Sequence, residues 1–424
     1  QPQSQPRRRP QPHRSTRSGH RETSRRGEEV MSISVATVRM PLRRFSTVSV
    51  ALAAVVGLAG CSSMTWFGSG DKKVQPLPAV TGNASVSTLW QSPLGGKQLS
   101  GLVPAVVAGR VYAAHPSGGI VAVDEKSGAV VARMQVPAGK GSISGDVAAS
   151  ASLVVVGTNK AEVVAFDPNG TVLWTARVAS EVVAPAALTD AVVAVIGGDG
   201  SITALDSKTG ERKWTVQRQL PALTVRSSAV PIVVRSALFA GTPQGKLLAL
   251  DPRNGSIGWE ATVATPKGTS ELERLIDVLG RPAFDTDRIC ATAFQGRVAC
   301  FDLVRGNLLW SRDVSSLTGA QIDNRHVYVV DDKGVAQAFD KTTGGTVWKQ
   351  DVLAGRRATG TAIVGDFLAV QDAEGSLHLV DRGSGRIAGR GLGEAFASDV
   401  GLVSAGDGAL VQTRSGTLAL VTAR

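Results

Sequence analysis

Few residues of this chain have the type and spacing to make or break bonds. It holds three cysteines, Cys61, Cys290 and Cys300, and five histidines. His115, His326 and His378 are scattered among otherwise apolar stretches. No nucleophile, base and orienter fall together, and no metal-ligand spacing occurs. The sequence therefore offers no catalytic residue, no metal site and no cofactor site. Aspartate recurs at Asp124, Asp167, Asp206, Asp251, Asp302, Asp340 and Asp381, with glycine three or four residues after each. Asp bonding its own backbone and Gly accepting positive φ make that a turn signature rather than a carboxylate cluster. The remaining chemistry is recognition. Two stretches, 220–231 and 264–282, mix aliphatic residues with charges, as a protein-binding patch does.

The elements that must position these stretches follow from a repeat. The turn Asp returns at spacings of 43, 39, 45, 51, 38, 41 and 41, with Thr422 in its place at the end. A strand of period two precedes each, such as Gly200-Ser-Ile-Thr-Ala-Leu. Trp follows four residues after the turn Gly at Trp174, Trp214, Trp259, Trp310 and Trp348, while Ala132 and Gly389 stand there in the first and seventh copies. A repeated aromatic is read as packing between neighbouring units, not as ligand stacking. A β period near 40 with two further apolar stretches is that of a four-stranded propeller blade. The fold class is therefore all-β, an eight-bladed β-propeller of four-stranded antiparallel blades. The orphan strand at Leu89-Trp90 should pair with the last strand, 416–422, and close the ring. Residues 269–279 are the one short helical candidate. Cys290 and Cys300 flank the turn Gln295-Gly296. A two-residue turn sets Cys290 opposite Phe301, one position off register, which favours two small buried thiols over a disulfide. An oxidising compartment would permit the bond, and the sequence leaves the choice open.

The pattern Ala-[Leu/Phe]-Asp-x-x-x-Gly-x-x-x-Trp resembles the Trp-docking, PQQ-like repeat of quinoprotein dehydrogenases, from about residue 87 to the end. The resemblance implies fold far more than function. A PQQ-dependent, dehydrogenase-like periplasmic enzyme is the alternative reading. It would need a Ca²⁺ site, a catalytic Asp and often a vicinal Cys pair. Here the cysteines are not adjacent, and blades of about 40 residues lack long loops to roof a cofactor.

The ends of the chain give the compartment. Residues 1–30, rich in Arg, Pro, Ser and Gln, read as a disordered extension, possible start-site over-extension rather than a nucleic-acid arm. Residues 31–60 read as a signal peptide: Arg39, Arg43 and Arg44, then a short apolar run ending in Leu58-Ala59-Gly60-Cys61. That tetrapeptide resembles a bacterial lipobox, which implies cleavage before Cys61, its lipidation and, with Ser62 next, sorting to the outer membrane. Residues 61–86 are a flexible tether and 87–424 the propeller. Trp66 and Phe67 sit at the membrane interface or are simply solvated; both readings stay open. The first thirty residues carry +5 and the next thirty +3, so only +3 of the whole chain's +11 belongs to the mature protein. A nucleic-acid partner loses its support.

The irregular copies carry the functional signal. The spacing of 51 comes from an insertion after Trp259, and its neighbour follows Trp214 one copy earlier. Both lead from a Trp strand to the next blade, so they should lie side by side on one face. Glu271-Leu-Glu-Arg-Leu-Ile-Asp-Val, with Pro282 soon after, resembles the signature of the outer-membrane protein assembly factor BamB family. Leu223-Thr-Val-Arg226-Ser-Ser-Ala-x-Pro231 is similar to its second signature. The resemblance implies a non-enzymatic scaffold lipoprotein of the β-barrel assembly machinery, lipid-anchored on the periplasmic side of the outer membrane. It would bind the POTRA domains of BamA within the Bam complex and assist nascent outer-membrane proteins. Carried over by position, the contacting residues are Leu223, Val225, Arg226 and Asp277, with Arg274 and Leu275 on the same connection. Leu279 stands where the family has a second Asp, Ser227 where it has Gly, and Ala229 where it has Ser. Arg226 and Asp277 pairing simply to hold two loops together is the plainer alternative.

Overall fold

In the repeat unit, sequence dictates structure residue by residue. Asp206 caps its own turn, its carboxylate accepting the N–H groups of Lys208 (2.9 Å) and Thr209 (3.0 Å). Gly210 closes the turn at φ +75°. A Cβ there would meet the ring of Trp174, from the preceding blade, at 2.7 Å. The glycine is thus needed twice, for its backbone and for the space above it. The third strand of the unit, Ser201–Asp206, is buried on both faces, because a blade lies against each side of it. The outer strand Arg212–Gln217 is largely exposed.

In the computed structural model, which describes residues 76–77, 79–80, 82–95, 102–225 and 229–424, this unit builds eight sheets of four antiparallel strands. Blade 1 is Ala105–Val107, Arg110–Ala114, Gly119–Asp124 and Val130–Gln135. Blade 2 is Ala148–Ala149, Val154–Gly157, Glu162–Phe166 and Val172–Arg177; blade 3 is Ala187–Leu188, Val192–Ile196, Ser201–Asp206 and Arg212–Gln217. Blade 4 is Ile232–Val234, Ala237–Thr242, Lys246–Leu250 and Ile257–Thr262; blade 5 is Val278–Phe284, Arg288–Ala293, Val298–Asp302 and Leu308–Arg312. Blade 6 is Ala320–Ile322, His326–Val330, Ala336–Asp340 and Thr346–Gln350; blade 7 is Ala358–Val364, Phe367–Asp372, Ser376–Asp381 and Ile387–Leu392. Blade 8 takes Val403–Ala405, Gly408–Gln412 and Thr417–Ala423 from the C-terminus and Val86–Pro93 from the other end of the propeller. The first strands of successive blades pack on one another and form the inner wall.

The ring closes as the repeat predicted. Val86–Pro93 pairs antiparallel with Thr417–Ala423. Trp90 seats on Gly128 of blade 1 and donates its indole N–H to the Glu125 carbonyl (2.9 Å), as a blade's own Trp would. Blade 7 shows why one copy has no Trp. Gly82–Val86 runs along its outer strand, with Ala84 bridged parallel to Gly389 and its N–H bonded to the Ala388 carbonyl (3.1 Å). A Cβ on Gly389 would collide with the Ala84 backbone, and one on Gly391 with Val86. The N-terminal segment fills the space a tryptophan fills elsewhere, and Leu77 packs against the core cluster that contains Trp348.

Two expectations are corrected. Cys290 and Cys300 lie directly opposite each other and form a disulfide. The connection between their strands has three residues, not two, since Ala293 pairs with Arg297 and Gln295 takes a left-handed φ of 51°. One extra residue moves the register by one and brings the sulfurs together. The helical candidate at 269–279 is instead a single turn over 271–274, followed by the strand Val278–Phe284. Among the described residues the one helix is a 3-10 turn, Glu394–Phe396.

Candidate docking face

In a four-stranded antiparallel blade, the connections from each outer strand to the next inner strand share one end with the turns between second and third strands. The connection from blade 3 to blade 4 and that from blade 4 to blade 5 lie on this end and are joined to each other. Asp277 holds them. Its carboxylate accepts the backbone N–H of Val225 and faces that of Gln244. Its own main chain bridges Pro243, and its carbonyl accepts the N–H of Phe294 (2.9 Å). Further in, the Val230 N–H bonds the Gly280 carbonyl at 3.0 Å.

Asp277 is 3 % exposed. Burial pushes its carboxyl above the usual range, against the two N–H groups that favour the anion. Its side chain is spent inside the protein, so it positions the Val225 segment and presents no charge at the surface. Leu279, where the family has a second Asp, is buried in the strand that follows.

Around this brace the aliphatics face outward. Leu223 is 48 % exposed, Val225 and Leu275 are half-buried, and Arg274 is exposed. Leu272, which the sequence reading passed over, is 65 % exposed. It sits on the turn that Glu273 builds, whose carboxylate accepts the N–H groups of Thr269 (2.9 Å) and Ser270 (3.0 Å). Those donors hold the Glu273 carboxyl below its ordinary value. The pattern Ser270-x-x-Glu273 is a capping box, the signal that could have marked Leu272 as held outward. Arg226 and Cys61 lie outside the described residues. The two joined connections thus present exposed aliphatics, with exposed Arg274 on the same turn as Leu272, a combination suited to a protein partner.

One charged cluster elsewhere has an internal role. His378 is fully buried and lies 2.9 Å from the Asp372 carboxylate, while Arg390 donates to its Nδ1 at 3.1 Å. A guanidinium only donates, so Nδ1 accepts and Nε2 carries the proton given to Asp372. Arg356, from the connection into blade 7, closes on the same carboxylate at 2.7 Å. Among the described residues no three His, Cys, Asp or Glu side chains converge to hold a metal ion.

A sequence profile described as outer membrane protein assembly factor BamB matches residues 116–350 and 332–419. The chain is 38 % identical over 342 residues to the outer membrane protein assembly factor BamB of Bordetella pertussis, covering 80 % of this chain and 87 % of that one. The solved structure of BamB from Moraxella catarrhalis superposes with a TM-score of 0.73 at 24 % identity, covering 80 % of this chain and all of that one. Quinohemoprotein alcohol dehydrogenase from Comamonas testosteroni superposes at 0.63 with 13 % identity, over 79 % of this chain and 76 % of that one. That last likeness is one of fold alone.

Proposed function

Because the chain belongs to the outer-membrane protein assembly factor BamB family, we propose that it serves outer-membrane protein assembly as a docking subunit without catalysis of its own. In this reading Cys61 carries the lipid, and the propeller works on the periplasmic side of the outer membrane. Its partner is BamA, met through the POTRA domains, and its clients are nascent barrel proteins.

One observation carries the reading. The two connections that break the regularity of the ring are braced together by Asp277, and they hold Leu223 and Leu272 out to solvent. Aliphatics on a rigid support bind partners cheaply, because little ordering entropy remains to be lost. Leu223, Val225, Leu275 and Leu272 supply the contact area, with Arg274 and Arg226 fixing register against acidic groups. Asp277 acts through Val225.

The test is co-purification. Lipoprotein extracted from mildly solubilised outer membranes should bring BamA with it, and charge reversal at Arg226 or Arg274 should weaken that capture with the ring intact. For the dehydrogenase alternative, saturable alcohol or sugar oxidation after incubation with PQQ and Ca²⁺ would overturn the proposal.

A further inference from the structure

The opposite end of the ring holds a second site. Trp90, Trp174, Trp214, Trp310 and Trp348 each donate the indole N–H to the carbonyl just after the next blade's turn residue, at 2.8–3.0 Å: Glu125, Ser207, Pro252, Lys341 and Arg382 respectively. Trp259 alone among the described tryptophans makes no such bond. It is docked like the others, since a Cβ on Gly306 would meet its ring at 2.5 Å. Phe239 and Phe301 flank it, with ring centroids at 5.6 and 6.5 Å.

Beside this ring opens a cavity of about 290 Å³, walled by Phe239, Ala249, Trp259, Leu303 and Val304, with Arg235 at the lip. The sequence around it is unusual for the repeat. Two positions after the turn Asp, the other copies carry Lys126, Asn169, Lys208, Arg253, Thr342 and Gly383; this one carries Val304. Val304 is 71 % exposed, the most exposed large aliphatic among the described residues. A largely apolar wall, the exposed Val304 and an indole N–H without its usual acceptor thus coincide at one interblade cleft, with Arg235 and Asp251 at its edge.

We propose that this cleft binds one aromatic side chain of an extended peptide, whose backbone carbonyl accepts the Trp259 indole N–H. The volume lies just below the range of about 300–1,000 Å³ typical of small-molecule sites, which suits a single ring. The walls match its apolar body, and the indole donor matches a backbone acceptor. The site lies on the end of blades 4 and 5 opposite to the docking face, so both can be occupied at once.

Indole NMR of the full-length protein tests this. The chain has seven tryptophans, and Trp259→Phe identifies one resonance. Titration with N-acetyl-phenylalaninamide should shift that resonance saturably and leave the others in place. Val304→Asp, at an exposed position that spares the fold, should weaken the apparent affinity at least tenfold. N-acetyl-leucinamide should bind more weakly. Absence of a saturable shift, an unchanged affinity in Val304→Asp, or a shift caused by octanoate but not by the phenylalanine amide would each overturn the proposal.

Discussion

The carboxylate of Asp277 accepts the backbone N–H of Val225, 52 positions earlier in the chain, and so ties together two successive interblade connections. Replacing it with leucine removes the acceptor and leaves that part-buried N–H without its partner. A cost of about 1–3 kcal/mol is expected, the penalty for a buried group left unsatisfied. Capture of BamA should fall as well, because the Val225 segment is no longer held. Asp277→Asn, which keeps one acceptor oxygen, should recover much of both. Thermal melts beside pull-downs check this; an Asp277→Leu protein of unchanged stability would refute the brace.

The disulfide between Cys290 and Cys300 closes a loop of sequence separation 10. A cross-link of that length stabilises by about 2–3 kcal/mol through the unfolded chain. Reduction, or the Cys290→Ala and Cys300→Ala pair, should lower the melting temperature by several degrees. Thiol titration of the unfolded, unreduced mature protein should find neither cysteine reactive.

His378 is buried in its neutral form, and desolvation holds its pKa below the ordinary 6.5, only partly offset by Asp372. The unfolded chain therefore takes up a proton near pH 6.5 that the folded chain refuses. Stability is fully present above that pH and falls below it, by up to about 1.4 kcal/mol per pH unit while one proton separates the states. His378→Gln should flatten this part of the profile. Denaturant melts at pH 7.5, 6.5 and 5.5 measure the slope, and a wild-type slope equal to the variant's would refute the assignment.

Gly389→Trp restores to blade 7 the residue that the repeat has elsewhere. Here it should destabilise, because the Ala84 backbone occupies the space. The displaced segment 82–86 should become open to proteolysis while the rest of the ring resists. A variant as protected as the parent would show that the segment does not need that space.

Much of this was legible in the chain. The Asp-x-x-x-Gly-x-x-x-Trp unit announced the blade because each residue has a local reason to be there, and Trp90 announced the closing strand because it lacked a copy of its own. What stayed hidden depends on backbone detail. The register of Cys290 and Cys300 turns on one non-glycine residue, Gln295, adopting a left-handed conformation. The burial of Asp277 depends on a connection folding back over blade 4, which no local pattern states. The absence of Trp at Gly389 was visible, but not that the N-terminal segment fills the gap, since those residues meet only in the closed ring.

The most direct measurement is capture of BamA by a Leu223→Asp, Leu272→Asp double variant of the lipidated protein. Both side chains are already in solvent, so the melting temperature should stay within about 1–2 °C of the parent. Losing two apolar anchors should reduce affinity at least tenfold, about 1.4 kcal/mol. Undiminished capture by a folded, lipidated double variant would contradict the assignment of this face as the docking surface.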